Sequence, residues 1–107
     1  MTEAEFTEHG SFRKILIDGH SGYSGKGEDI VCAAVSALAQ TYLFYMEDLA
    51  DQGKAKIESL TIMDGHLELY TENESTESMA AYDMAKMGIE AIEEAYPDNV
   101  KIFLKKI

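Results

Sequence analysis

The sequence contains one cysteine, Cys32, and a histidine twelve residues before it, His20. A thiol and an imidazole are the minimal parts of a cysteine nucleophile, because the imidazole takes the thiol proton and later returns it to the leaving group. We expect Cys32 to lie in the first turn of a long helix, where unpaired backbone N–H groups and the positive end of the helix dipole favour the thiolate. We expect His20 to end a strand, from which a glycine-rich loop leads to the helix. The two residues would then supply the parts of a cysteine nucleophile.

Two other interpretations of the cysteine compete with catalysis. Free cysteine is among the residue types most often buried, so Cys32 taken alone is more often a packing residue than a catalytic one. A zinc site from His20, Cys32 and a further histidine is not supported by CxxC or HxxxH spacing, and we expect no metal and no cofactor. His9 and His66 both fall in expected surface turns. The expected position in the first turn, the glycine-rich loop and the strand-end histidine bring catalysis level with packing as an interpretation of Cys32.

Length, composition and charge limit the classes of function. The chain has 107 residues and 46% hydrophobic residues, which favours a single domain over residues 1–107 with one modest core. Its net charge of −11, from 20 acidic and 9 basic residues, opposes a phosphate backbone and would attract a basic polypeptide, although acidity also simply aids solubility. No apolar run approaches the roughly 18 residues of a membrane span, and the acidic first residues do not resemble a signal peptide. We therefore expect a cytoplasmic protein that binds neither nucleic acid nor membrane.

Hydrophobic periodicity predicts the first three elements, which must position the catalytic pair. Strand-like segments at 4–7 and 11–18 flank a turn at Glu8-His9-Gly10 and predict a hairpin. Imperfect alternation in the second segment leaves its register open. Apolar residues at helical spacing from Ile30 to about Leu49 predict a helix, whose start either Glu28 or Asp29 is able to cap.

The remaining elements follow from turn and cap signals. Segments 56–63 and 66–71 surround Asp64-Gly65, a strong hairpin turn. Ser75 or Thr76 caps a second helix, which Pro97 stops after Tyr96. We expect its methionines to be core and near-surface filler: Met79, Met84 and Met87. A last strand covers 100–105.

The resulting order, ββαββαβ, predicts an α+β fold. Because hairpins dominate, we expect a mixed or mostly antiparallel sheet with both helices packed on it. Two helices are enough to cover one face of such a sheet. The other face would then be free for a partner or a second subunit.

Two blocks of the sequence resemble a known family. Gly19-His20-Ser21-Gly22-Tyr23 and the stretch from Gly27 to Leu38, with the gap between them, are similar to the signature of the bacterial ribosomal-processing cysteine proteases, the Prp family. The resemblance covers roughly residues 19 to 38. It implies a cysteine endopeptidase that removes a short N-terminal extension from a large-subunit ribosomal protein. Members of the family work as dimers in the cytoplasm of Firmicutes and related bacteria.

The resemblance also assigns roles to individual residues. His20 matches the catalytic base and Cys32 the nucleophile, and the accompanying motif residues match Gly19, Asp29 and Ser36. The residues expected to order over a bound peptide are Ser21, Gly22, Tyr23, Gly25 and Gly27. Ser21 replaces the alanine expected after the histidine, and the segment before the motif is slightly short; neither departure touches the Cys–His dyad.

The sequence therefore predicts a cysteine endopeptidase acting on a basic ribosomal protein. Its alternative is a ribosome-assembly partner without enzymatic activity, in which Cys32 is structural packing. The two differ in how the thiol should react. An activated thiolate is alkylated at mildly acidic pH, whereas a buried structural thiol is not.

Overall fold

The element order predicted from the sequence is confirmed by the structure, a computed structural model that describes residues 1–19 and 26–107. The elements are β1 (Thr2–His9), β2 (Phe12–Gly19), α1 (Lys26–Asp51), β3 (Lys56–Met63), β4 (His66–Glu72), α2 (Thr76–Ala95) and β5 (Val100–Lys106). This is the expected α+β arrangement, in which two helices accompany one five-stranded sheet.

The sheet is mixed. Its strand order is β3-β4-β2-β1-β5, and every neighbouring pair is antiparallel except β1 and β5, which run parallel. In the first hairpin His9 pairs with Phe12, so the turn consists of Gly10 and Ser11 and His9 belongs to the strand. In the second, Met63 pairs with His66 around Asp64-Gly65, the predicted turn. Gly10 and Gly65 have φ of 60° and 72°, a region that side-chain-bearing residues seldom adopt.

The core lies between the helices and one face of the sheet. Phe6, Ile15 and Leu69 from three adjacent strands are almost completely buried, together with Val35 and Tyr82 from the helices. On the opposite face the side chains remain half-buried or exposed, as expected for a sheet whose two helices cover one face.

One residue, Arg13, made the register of β2 hard to predict from the sequence. Arg13 occupies a position on the buried face, where an apolar residue would complete the alternation with Ile15 and Ile17. Its guanidinium donates to the carbonyls of Gly10 and Phe12, at 2.6 and 2.8 Å, and lies over the ring of Tyr82. The long aliphatic stem packs inside and Nη1 is satisfied by these backbone oxygens, whereas the buried Nε has no hydrogen-bond partner among the described residues.

Helix α1 begins earlier than predicted. Its first residue is Lys26, so Gly27, expected in the substrate loop, belongs to the helix. Glu28 and Asp29 lie in the first turn and do not occupy the capping position before it. The prediction for α2 was better, because Ser75 caps it and forms a reciprocal pair of hydrogen bonds with Ser78.

Packing in the core explains only part of the apolar character of α1. From Ile30 to Asp51 the helix is long and apolar enough, by length and composition alone, to cross a membrane, with a mean hydropathy of 1.3. This differs from the expectation that no segment reaches that length. One side of the same stretch is buried in the core, including Val31, Val35 and Met46. Packing against the sheet explains that side but leaves the exposed side unexplained.

A buried polar network fixes α1 against the sheet and α2. The hydroxyl groups of Tyr42 and Thr71 lie 3.0 Å apart, and Asn73 donates to Tyr42 Oη and to the Ser78 carbonyl, both at 2.9 Å. Thr71 Oγ1 also lies 2.6 Å from Asn73 Oδ1. One asparagine thus joins both helices to β4.

Replacing Asn73 with alanine should lower the free energy of unfolding by about 2–3 kcal/mol, because buried hydrogen-bonding groups lose their partner. Chemical denaturation monitored by circular dichroism measures the change. The exposed Gln52→Ala variant is the control and should differ from the original protein by less than about 0.5 kcal/mol. Equal stabilities for the two variants would show that the network is dispensable.

Candidate active site

A cleft of about 270 Å³ lies between α1 and the end of the β3–β4 hairpin. Helix α1 contributes Cys32, Ser36 and Gln40 to its lining, and β2 contributes Gly19 at its carboxyl end. The opposite wall is formed by the hairpin residues: Ile62, Met63, Asp64, Gly65, His66 and Leu67. Three residues singled out in the sequence, Gly19, Cys32 and Ser36, therefore line one cavity.

The thiol belongs to this cavity and not to the core. Cys32 is half-buried, and Ser36 lies one helical turn after it and also borders the cleft. A side chain that is partly exposed in a cleft can meet a peptide carbonyl, which a fully buried one cannot.

The prediction that Cys32 lies in the first helical turn is wrong. Counting Lys26 as the first, Cys32 is the seventh residue of α1, about 9 Å along the axis from the start. Only the first four N–H groups of a helix lack intrahelical partners, and the dipole effect fades within that turn. The helix start would therefore give a thiolate at this position little help.

Gly19 is held in place by its close surroundings. Its N–H donates to the carbonyl of Gly65 at 2.9 Å, which ties the end of β2 to the hairpin turn that borders the cleft. A Cβ atom added at Gly19 would lie 2.9 Å from the Thr2 backbone, at its Cα atom, and 2.9 Å from the Thr2 hydroxyl oxygen. Glycine is required here because the paired strand β1 leaves no room for a side chain.

We expect Gly19→Ala to destabilise the fold by about 1–3 kcal/mol, since the Thr2 backbone must move. Because the strand end leads directly into His20, cleavage should fall further than stability explains. Thermal unfolding and peptide turnover measure the two effects. In a Thr2→Ala background the clash with the hydroxyl is removed but the clash with the strand backbone persists, so stability should recover only partly. An unchanged melting temperature in Gly19→Ala would contradict the close packing.

Several of the residues assigned by resemblance lie outside the residues that the structure describes. They are His20 and the loop residues Ser21, Gly22, Tyr23 and Gly25. Asp29 is the fourth residue of α1. The roles of these residues remain predictions.

A second histidine borders the cleft, and the sequence analysis had placed it in an exposed turn. His66 is the first residue of β4, is half-buried, and has its Nδ1 3.7 Å from the carboxylate of Asp18. The two-residue turn Asp64-Gly65 was the available signal, because it starts β4 at His66 beside the end of β2. The structure thus brings an imidazole and a carboxylate near the same cavity as Cys32. His9, by contrast, borders a cavity on the open face of the sheet.

Over residues 1–19 and 26–107, no group of three or more His, Cys, Asp and Glu side chains is arranged to hold a metal ion. The residues that line this cleft suit nucleophilic attack by a thiol with a histidine as base.

Comparison with known proteins supports a cysteine protease. The family model described as cysteine protease Prp matches residues 1–101. Among curated proteins, none matches the chain. Structural similarity is high to the S. aureus ribosomal processing protease Prp in complex with a substrate peptide, with a TM-score of 0.81 and 20% identity, covering 98% of this chain and 100% of that one.

Two further structures share the fold. The S. aureus protease with a covalently linked product peptide has a TM-score of 0.76 and 21% identity, covering 98% of this chain and 100% of that one. SMU.848 from Streptococcus mutans has a TM-score of 0.78 and 23% identity, covering 100% of this chain and 96% of the other. The architecture is therefore shared over essentially the whole length of each chain.

Proposed function

The chain belongs to the Prp family of cysteine proteases, and from that premise we propose that it is a ribosomal-processing endopeptidase with a Cys32–His20 dyad. Its substrate is a large-subunit ribosomal protein, from which it removes an N-terminal extension. The observation that carries this proposal is that Cys32, Ser36 and Gly19 line the same cleft. Gly19 is the residue that precedes His20 in the chain.

The reaction proceeds by acyl transfer. His20 takes the proton of Cys32, and the thiolate sulfur attacks the carbonyl carbon of the scissile peptide bond. The carbon–nitrogen bond breaks as His20 delivers the proton to the leaving amine, and a thioester to Cys32 remains. Water then hydrolyses the thioester and regenerates the thiol.

The position of Cys32 in α1 makes the dyad histidine more important than the sequence analysis assumed. Because the seventh residue of a helix is beyond the reach of the free N–H groups, the imidazolium is the main partner of the thiolate. Gly19 serves this arrangement by tying the end of β2 to the hairpin turn that borders the cleft.

Charge supports a basic substrate. The chain carries a net charge of −11, and ribosomal proteins of this kind are basic, so long-range attraction would speed their encounter. The same charge opposes direct binding to ribosomal RNA. The protein acts in the cytoplasm as a homodimer.

The alternative is a ribosome-assembly partner that lacks enzymatic activity. That function would leave Cys32 as packing, yet the core cluster does not include it, and the side chain borders a cleft. The position of the thiol therefore favours the enzyme.

The test is incubation of the purified protein with the organism's own extended ribosomal protein, followed by mass spectrometry of the products. We expect two fragments, the N-terminal extension and the mature protein. The matched substrate without its extension is the control and should stay intact. An extended protein that binds but remains uncut would favour the assembly partner.

A further inference from the structure

Strand β3 forms one edge of the sheet and is exposed along most of its length. It lies at the end of the strand order β3-β4-β2-β1-β5, and every residue in it except Ile57 is exposed. Its apolar side chains are included, since Leu60 is 41% exposed, Ile62 56% and Met63 62%. An exposed edge strand presents unpaired backbone N–H and C=O groups to any extended chain that approaches it.

The opposite edge of the sheet, β5, is protected. Lys101, Lys105 and Lys106 place positive charges along it, and the N–H group of Ile102 donates to the carboxylate of Glu93 at 2.9 Å. Lysines on an edge strand and side chains that cover its backbone both discourage pairing with another chain. The two edges of the sheet are therefore not equivalent.

In β3 such protection is confined to the first half. Lys56 and Glu58 are charged, and a bulge between Ile57 and Ser59 interrupts the pairing with β4. Bulges twist an edge away from an approaching strand. From Ser59 to Met63 the pairing is regular and no residue is charged, which leaves about 17 Å of edge for another strand. We call this stretch the free edge.

The alternation of hydrogen bonds shows which backbone groups the free edge offers. The turn of the β3–β4 hairpin has two residues, so Met63 and His66 form a hydrogen-bonded pair, and the bonds to β4 recur at every second residue. The N–H and C=O groups of Leu60 and Ile62 therefore point away from β4. Among the described residues, none is bonded to these outward groups in the way that Glu93 is bonded to β5.

The free edge continues into the active-site cleft. Ile62 and Met63 belong to both, and they line the wall opposite Cys32. We propose that an extended segment of the substrate adds to β3 as a new edge strand, paired with the backbone of Leu60 and Ile62, and that this pairing places the scissile bond in the cleft. The inference rests on the proposed function, because it specifies how the same site holds its substrate. Strand addition gives affinity through main-chain hydrogen bonds.

The position of the free edge favours the substrate over a second copy of this chain as its occupant. A peptide strand on β3 ends beside Cys32, where it is to be cut. A second copy would bring another chain of charge −11 against the same cleft wall, and like charges repel.

The first test measures amide hydrogen exchange by NMR in the full-length Cys32→Ala variant, with and without a peptide that spans the end of the extension and the start of the mature ribosomal protein. Saturating peptide should slow exchange at Leu60 and Ile62 by at least about tenfold, but at Thr61 and Met63, which are already bonded to β4, by less than about threefold. Protection without this alternation, or none, would overturn the proposal. Protection that rises with protein concentration in the absence of peptide would assign the free edge to a second copy.

This variant cannot cut the peptide, so binding is scored apart from cleavage. Alternating protection in Cys32→Ala together with no cleavage by the wild type would overturn the proposed function and leave strand addition intact. Cleavage by the wild type without alternating protection would do the reverse.

A pair of proline variants gives a kinetic test. Leu60→Pro removes one outward N–H group and leaves the bonds to β4 in place, and proline is tolerated at such edge positions. Leu104→Pro is the matched control, because Leu104 is also an exposed leucine, at 54%, and lies two residues after Ile102 with its N–H facing outward on β5. Leu60→Pro should raise KM about twofold to tenfold, the value of one hydrogen bond, with kcat nearly unchanged. Leu104→Pro should change neither, and equal KM values in the two variants would contradict the strand pairing.

Discussion

Replacing Cys32 with alanine is expected to abolish cleavage of the extended ribosomal protein while the protein stays folded. The variant has no atom that can form the thioester, so turnover should fall by at least about 10⁴-fold. Alanine is the best helix former, and Cys32 is only half-buried, so stability should change by less than about 1 kcal/mol. Mass spectrometry of the products and far-ultraviolet circular dichroism measure the two effects.

A matched control comes from the same helix and the same cleft. Gln40 lies two helical turns after Cys32, borders the cleft and is exposed, so Gln40→Ala alters the cavity without removing the nucleophile. It should retain activity within about tenfold. Full activity in Cys32→Ala would end the catalytic assignment, and simultaneous loss of helix signal would attribute the effect to unfolding.

Replacing His20 with alanine is expected to lower turnover by several orders of magnitude. General acid–base catalysis alone typically contributes about 10² to 10⁴-fold, and the loss should exceed this. The variant loses proton transfer to the leaving amine, and it also loses the imidazolium that stabilises the thiolate. The position of Cys32 at the seventh residue of α1 increases this dependence, because the helix start offers no substitute. Single-turnover cleavage of a peptide substrate measures the loss.

His66→Ala provides the sharpest comparison, because it removes the histidine that the structure does place at the cleft. His66 lies near the Asp18 carboxylate and borders the same cavity as Cys32. With His20 as the base, His66→Ala should cost less than about tenfold. The opposite ranking, a small loss in His20→Ala and a large one in His66→Ala, would assign the base to His66 and an orienting role to Asp18.

The sequence was most informative where one local signal decides a structure. Asp64-Gly65 predicted the second hairpin turn, and Ser75 predicted the start of α2, because turn geometry and capping depend on a few neighbouring residues. It was least informative at β2, where buried Arg13 breaks the alternation, and at the start of α1. Helix boundaries depend on several weak preferences, so α1 extends four residues further than its apolar periodicity indicated.

For the candidate site, too, some features could be predicted from the sequence and others depended on the tertiary structure. The sequence by itself supplied the single thiol, its helix, the glycine before His20 and a resemblance that the family model confirms. Only the tertiary structure decided that Cys32 and Gly19 share a cleft, that His66 borders it, and that a mainly apolar groove lies on the opposite side of α1. The physical reason is that residue types and spacing specify local geometry, whereas a cleft or an exposed face depends on how the helices pack over the sheet.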